Sequence, residues 1–316
     1  MPDKTTTSKS SITVCSLWEN DYHKGLGTLV NSLVRVGYRG RVWAGYRGAL
    51  PAWAATGEVA GNICTVETPE GIEVKLCKLE TDIHMAQYKA AWMEQVLTEH
   101  EPEAEGIFYF DSDIFVLGEW SFFERWVRCG VAVCEDQSYP VNPTHPLVRE
   151  WQQYTARLGY EQWTPPQVYV NSGLLGVTRE TQSFLTTWQE LIDAMQRDFG
   201  LAGVMKTGTR VDMFHQTDQD ALVVAMAITS QPISWVGIDG MAFGRGEWLT
   251  LHAISKPWRR RVFRDWLVEG HRPDASLRMY WQLAGSPVPV ETSGRIRRHR
   301  FYLPLAAMLS RFYKRV

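Results

Sequence analysis

The sequence predicts a single α/β domain built on an open central sheet, and three observations predict it. Short β-branched, apolar runs recur along the chain, separated by stretches of helical periodicity. The first run is followed by a polar turn, an amphipathic stretch and a second strand, which is how a parallel α/β unit begins. With 316 residues, 45% hydrophobic and 22% charged, the chain is long and apolar enough to bury a proper core.

The elements follow in order. Residues 11–17 read as a buried first strand. Residues 25–36 carry Leu26, Leu29, Val30, Leu33 and Val34 at helical spacing, and 41–46 form a second strand closed by Arg47-Gly48. Residues 71–79 are a further strand and 85–99 a helix. The compact apolar run 106–110 is the next strand, with later strands at 131–134, 168–177 and 248–254. Helices are expected at 146–158, 180–198 and 217–228. The chain contains no internal repeat and no low-complexity block. Its simplest partition is a polar, disordered tail over 1–10, one domain over 11–285 and a basic appendage over 286–316.

Charge and composition exclude several classes. A formal net charge of −2 argues against a nucleic-acid binder, which normally carries a basic excess. That total hides seven Lys or Arg and no acid in 294–316, which leaves the rest at −9. The cysteines (Cys15, Cys64, Cys77, Cys129 and Cys134) are odd in number and never spaced C-x-x-C, so free thiols in a reducing cytosol are expected. Neither a signal-peptide core nor a run of ~18 apolar residues occurs, and a cytoplasmic protein is expected. Fourteen tryptophans lie spread from Trp18 to Trp281, which suits core packing more than one aromatic platform.

Chemistry concentrates at Phe108-Tyr109-Phe110-Asp111-Ser112-Asp113. The two carboxylates stand where an apolar strand leaves the sheet, and open α/β sheets bind ligands beyond the carboxyl ends of their strands. On an extended backbone, residues two apart project to the same side. Two hard oxygen ligands facing one point suit Mg²⁺ or Mn²⁺. The plainer reading is a pair of solvated turn aspartates. A rival enzymatic reading is a phosphatase of the haloacid-dehalogenase kind with Asp111 as nucleophile. There the motif belongs to the first strand, whereas here about 100 residues precede it.

With three later motifs the pattern resembles the nucleotide-sugar transferases of the GT-A fold, most of all glycosyltransferase family 8, the glycogenin and lipooligosaccharide galactosyltransferase group. Asp111-Ser112-Asp113 resembles the family's metal-binding D-x-D. Asn171-Ser172-Gly173 resembles the N-[SA]-G of the donor-sugar pocket, and Asp218-Gln219-Asp220 the D-Q-D that faces the anomeric carbon. His252 with Lys256-Pro257-Trp258 resembles the late histidine and K-P-W. The resemblance covers about residues 12–260. It departs from the family in one respect: the usual H-x-x-G-x-x-K-P-W is shortened, with His252 and Lys256 four apart and no glycine between.

The resemblance implies a GT-A fold and transfer of a sugar from a nucleotide-diphosphate donor, UDP-hexose favoured, to a glycan or glycolipid acceptor with retention of configuration. It implies a divalent cofactor, Mn²⁺ favoured over Mg²⁺, on Asp111, Asp113 and His252, with Lys256 at the diphosphate. Asn171, Ser172, Gly173 and Asp220 would line the sugar pocket, Asp218 would bind sugar hydroxyls and Gln219 would lie under the anomeric carbon. Lys89 resembles the family's basic donor contact, Tyr22 its nucleotide-facing aromatic, and Ser112 would meet a ribose by its hydroxyl. Each has a plainer reading: a packed histidine on a strand, a turn-capping lysine, an N-capping Asp218, a helix-surface Lys89. A non-catalytic carbohydrate-binding protein of the same fold is the third alternative.

The tail carries a last signal. From Pro304, a helix-start residue, Leu305, Met308, Leu309, Phe312 and Val316 fall on one helical stripe, with Arg295, Arg297, Arg298 and Arg300 before it and Arg311, Lys314 and Arg315 off it. A cationic amphipathic helix of this kind lies on an anionic bilayer. Its apolar face packing on the domain is the alternative.

Overall fold

The computed structural model describes residues 9–137, 142–244, 246–261, 265, 268 and 270–312. Strand β1 (Ile12–Glu19) leads through a 3-10 turn (Asn20–Tyr22) into helix α1 (His23–Arg35) and strand β2 (Arg41–Arg47). Strands β3 (Glu58–Ala60), β4 (Ile63–Glu67) and β5 (Glu73–Lys78) precede α2 (Lys89–Gln95) and β6 (Gly106–Phe110). Then come β7 (Ile114–Val116), α3 (Trp120–Val127), β8 (Val131–Glu135), α4 (Pro146–Arg157), β9 (Val170–Thr178), α5 (Ser183–Phe199) and α6 (Thr217–Ile228). The described part ends with β10 (Ile233–Val236), β11 (Thr250–His252), α7 (Ala275–Leu283) and α8 (Ser293–Leu309).

Nine strands form one mixed sheet in the order β10-β8-β9-β6-β1-β2-β5-β4-β3. Its centre is parallel: β1 pairs with both β2 and β6, and β2 with β5. On the other side of β6, β9 runs antiparallel between β6 and β8. A central strand meets helices on both faces, so every residue of β6 is buried. Alternation then divides them. Phe108 and Phe110 pack with α1 and α3, through Leu26, Leu29 and Phe123, whereas Ile107 and Tyr109 pack with α2, α5 and α6, through Trp92, Trp188 and Val223. Helix α6 is buried almost all round, which its continuous apolar run 221–225 requires.

The expected α/β class is what the chain adopts. The strand expected over 248–254 shortens to β11, which leaves the main sheet to pair with β7. The helix expected from Pro304 instead starts eleven residues earlier, at Ser293, where Thr292 Oγ1 accepts from the Arg295 N–H. Pro304 lies inside it. Packing offsets the lost backbone bond: Ile296, His299, Leu303 and Ala306 are buried, His299 stacks on Trp281 at 3.6 Å, and Arg300 donates to the carbonyls of Trp281 and Gln282. Of the stripe expected in the tail, Val316 lies outside the described residues, as do Lys314, Arg315 and residues 1–8. All five cysteines are free, and Cys129 alone is exposed. Among the described residues, no helix is long and apolar enough to cross a membrane.

Candidate active site

The site begins where β6 ends. Asp111 and Asp113 do not converge through extended alternation, as the sequence suggested; the chain turns there, and the Ile114 N–H donates to the Asp111 carbonyl at 2.9 Å. That turn feeds β7, whose antiparallel partner β11 sets His252 opposite Ile114. The Ala253 N–H bonds the Asp113 carbonyl at 2.8 Å. His252 Nε2 consequently lies 3.3 Å from Asp113 Oδ1, although 139 residues separate the two in the chain. One ligand atom each from Asp111, Asp113 and His252 lies within 4.8 Å of the others. Two carboxylate oxygens and an imidazole nitrogen at that spacing fit a single divalent ion. Burial works against both charges of the nearer pair. The mutual attraction wins, holding Asp113 below the usual carboxylate range and His252 above the usual imidazole one.

Lys89 opens α2 and is buried, not a surface residue. Its Nζ lies 3.1 Å from Asp111 Oδ1 and 3.1 Å from Asp218 Oδ2, and it reaches the Ser172 carbonyl at 3.3 Å. Burial alone would lower its pKa, but the two carboxylates outweigh burial and raise it above the ordinary lysine value. Ser172 Oγ donates to Asp218 Oδ2 at 2.6 Å, and Tyr109 Oη to Asp111 Oδ1 at 2.8 Å. Lys89 is the cation around which both acidic motifs are assembled.

Two glycines permit the approach. A Cβ on Gly173 would stand 2.7 Å from Asp111 Oδ2 and 2.8 Å from Asn171 Oδ1. One on Gly25, in the first turns of α1, would meet the Ser112 carbonyl at 2.3 Å. At Gly25 the displaced atom is backbone of the D-x-D turn, so no side chain fits; at Gly173 a side chain would push the Asp111 carboxylate and the Asn171 amide out of place.

On the α6 side, Gln219 is fixed at both ends of its amide: Oε1 accepts from the Ser172 N–H at 3.2 Å and Nε2 donates to Asp136 Oδ2 at 3.2 Å. Asp136 also accepts from Asn171 Nδ2 at 2.6 Å. Sequence reasoning missed Asp136. Its signal was an acid just beyond the apolar strand β8, the same context that singled out Asp111. Asp220 is not brought to the site. Two residues along a helix from Asp218, it points away, accepting from Tyr169 Oη at 2.5 Å and from the Gln216 N–H at 2.9 Å. Burial lifts its pKa to about 7.

Lys256 is held by a tight turn whose backbone bond runs from its N–H to the Ala253 carbonyl, with Lys256 itself left-handed at φ 49°. The short His252–Lys256 spacing is accommodated there. Its Nζ sits 5.1 Å from the centroid of the Tyr22 ring, and Trp258 meets that ring edge-on at 5.5 Å. Trp258 and Arg259 both donate to Asp21, tying this loop to the turn after β1.

A second unforeseen residue, Gln87, ties the turn before α2 to the 201–204 loop, α5 and the head of α6. Fully buried on the turn before α2, it donates to the carbonyls of Leu201 and Val204 at 2.8 and 3.0 Å and to Thr217 Oγ1 at 3.2 Å. Its Oε1 accepts from the Gly203 N–H and from Gln196 Nε2, each at 3.0 Å. These segments form one side of an open cavity of about 600 Å³. Tyr22, Lys89, Asp111, Ser112, Asp113, Asn171, Ser172, Asp218, Gln219, His252 and Lys256 all line it, joined by Glu19, His84, Asp136, Met205 and Lys206. Gly173 stands behind Asp111, and Asp220 is outside. Five acids against three lysines leave the lining negative, which a divalent cation would offset.

No protein-family model and no curated protein sequence matches the chain. Solved structures do. The glycosyltransferase GlyE of Streptococcus pneumoniae TIGR4 superposes with a TM-score of 0.52 at 14% identity, covering 93% of this chain and 64% of GlyE, so the chain spans a little under two thirds of that protein. The galactosyltransferase LgtC, solved with donor and acceptor sugar analogues, superposes with a TM-score of 0.51 at 14% identity, over 91% of this chain and 99% of LgtC. The fold is that of the GT-A glycosyltransferases. It is not the fold on which the phosphatase reading depends, and the resemblance drawn from four motifs agrees with it.

Proposed function

We propose that the protein is a metal-dependent glycosyltransferase that moves a hexose from a nucleotide diphosphate, UDP favoured, to a glycan or glycolipid acceptor on the cytoplasmic side of a membrane. One observation carries the reading: Asp111, Asp113 and His252 converge beside Lys256 in a cavity that also holds Lys89, Asp218 and Gln219, within a glycosyltransferase fold. Asp111, Asp113 and His252 would hold the divalent ion, Mn²⁺ favoured because an imidazole joins two carboxylates. When bound, the ion supplies positive charge to the diphosphate as the glycosidic bond breaks.

Other steps belong to the chain's own residues. Lys256, poised by its turn, would neutralise the same departing diphosphate from the Tyr22 side. Asp218, Asn171 and Ser172 would orient the sugar, with Lys89 and the Ser172 hydroxyl holding Asp218 in place. Gln219 is tethered at both ends of its amide and is a poor nucleophile, so a covalent glycosyl-enzyme is disfavoured. Retention then proceeds on one face of the sugar, the acceptor hydroxyl's proton passing to the leaving phosphate oxygen.

The test is a panel of nucleotide sugars assayed for donor hydrolysis and transfer with and without Mn²⁺, with the product anomer read by NMR. Mn²⁺-dependent turnover of one UDP-sugar with a retained anomer is expected. Donor binding without turnover, independent of metal, would instead make the chain a carbohydrate-binding protein; phosphate release from simple monoesters would restore the phosphatase.

A further inference from the structure

Helix α8 presents two apolar stripes. The buried one (Ile296, His299, Leu303, Ala306) seals it to the domain. At about 100° per residue, Phe301, Leu305 and Met308 fall on the opposite side, and Phe312 follows in the turn just past the helix end at Leu309. They are 66%, 38%, 50% and 82% exposed. The arginines divide likewise. Arg295 is paired with Glu291 and Arg300 is committed to backbone carbonyls, both serving the packed side. Arg297, Arg298 and Arg311 are exposed and have no ion pair among the described residues; the first two flank the outward stripe and Arg311 lies just past the helix end. From 294 to 312 there is no acid.

An exposed row of two phenylalanines, a leucine and a methionine costs solvation unless something covers it. The charge beside it decides what. Unpaired guanidinium groups at the edge of an apolar stripe match phosphate headgroups above acyl chains, and the stripe runs along a helix already fixed to a rigid domain, so binding need not order it first. We propose that the outward face of α8 (Phe301, Leu305 and Met308, bordered by Arg297 and Arg298), continued by Arg311 and Phe312 in the turn just beyond it, is a docking surface for an anionic lipid bilayer, on which the helix lies flat. A lipid-linked acceptor would then be met at the surface that carries it. That consequence rests on the proposed transfer activity; the docking does not.

The experiment is co-sedimentation of the full-length protein with vesicles of phosphatidylcholine alone and of phosphatidylcholine with one-third phosphatidylglycerol. Binding to the anionic vesicles only is expected, falling about tenfold or more when salt rises from 0.1 to 0.5 M. Arg297→Glu with Arg298→Glu should abolish it. Phe301→Ser with Phe312→Ser should weaken it at least about tenfold while leaving the melting temperature unchanged, since both rings are exposed. Absence of binding to anionic vesicles, or binding indifferent to both double variants, overturns the proposal. So does a dimer, seen by light scattering, that dissociates in Phe301→Ser/Phe312→Ser, because a second copy would then be the occupant. Donor hydrolysis in solution is measured separately, so failure of the lipid contact and failure of the transferase reading are distinguishable.

Discussion

Replacing Lys89 with methionine should unstiffen the site and tighten its grip on metal together. The ammonium lies 3.1 Å from both Asp111 and Asp218, with only 5% of its side chain exposed. Removing one partner from a buried charge cluster costs about 3–5 kcal/mol, because the remaining charges lose their compensation. For a domain of this size, about 2 °C of melting temperature goes with each kcal/mol, so a fall of about 6–10 °C is expected without metal. Lys89 also competes for Asp111, so its loss lets a divalent ion interact with both carboxylates unopposed. Differential scanning fluorimetry, with and without Mn²⁺, should show a larger Mn²⁺-induced rise in Lys89→Met than in wild type, while donor turnover drops because Asp218 is no longer held. An unchanged melting temperature with an unchanged Mn²⁺ response would refute the idea that Lys89 joins the two acidic motifs.

Three further outcomes follow from the geometry. Gln87→Met should cost about 2–4 kcal/mol through unpaired buried groups and raise KM more than it lowers kcat; tryptic cleavage after Lys206 should quicken, and unaltered proteolysis would count against the clamp. Asp220, lifted to about 7 by burial, holds a proton in the folded protein at pH values where the unfolded chain has lost it. Its contribution to stability is therefore full below about pH 4 and is lost as pH rises through about 7. Asp220→Asn should flatten that fall by about 3 kcal/mol between pH 5 and 8, as read from urea midpoints at those two pH values, and parallel curves for the two proteins would contradict it. Gly25→Ala must displace the Ser112 carbonyl, so about 1–3 kcal/mol of stability and much of the Mn²⁺ affinity should go together; a variant losing neither would show that α1 does not brace the turn.

Much of this site could be read in the chain because burial writes itself into sequence. Strand β6 is a run of apolar residues since both its faces are covered, and Asp111 is conspicuous where the run stops. The same contrast marks Asn171 within β9 and Asp218 at the head of α6. What stayed hidden depends on long-range pairing. Nothing local says that β11 leaves the main sheet for β7, yet that register alone brings His252 to Asp113. Lys89 carries no mark of its burial, since a lysine is exposed in most helices and only the two distant carboxylates make it otherwise. Helix α3 escaped notice because Trp120, Phe122, Phe123 and Trp126 suit strand and helix alike. Asp220 was assigned to the site with its neighbours in the motif, but a helix turns about 200° in two residues and carries it to Tyr169. In the tail, Pro304 looked like a beginning because proline favours first turns; Thr292 caps the real one.

The central claim is that Asp111, Asp113 and His252 form one metal site that serves a nucleotide diphosphate. Isothermal titration of Mn²⁺ into the protein with UDP present tests it most directly. A single site is predicted, weakened at least about tenfold by either Asp113→Asn or His252→Ala, with donor hydrolysis falling in step. Mn²⁺ bound equally well by both variants, or not at all by the wild-type protein, would contradict the account.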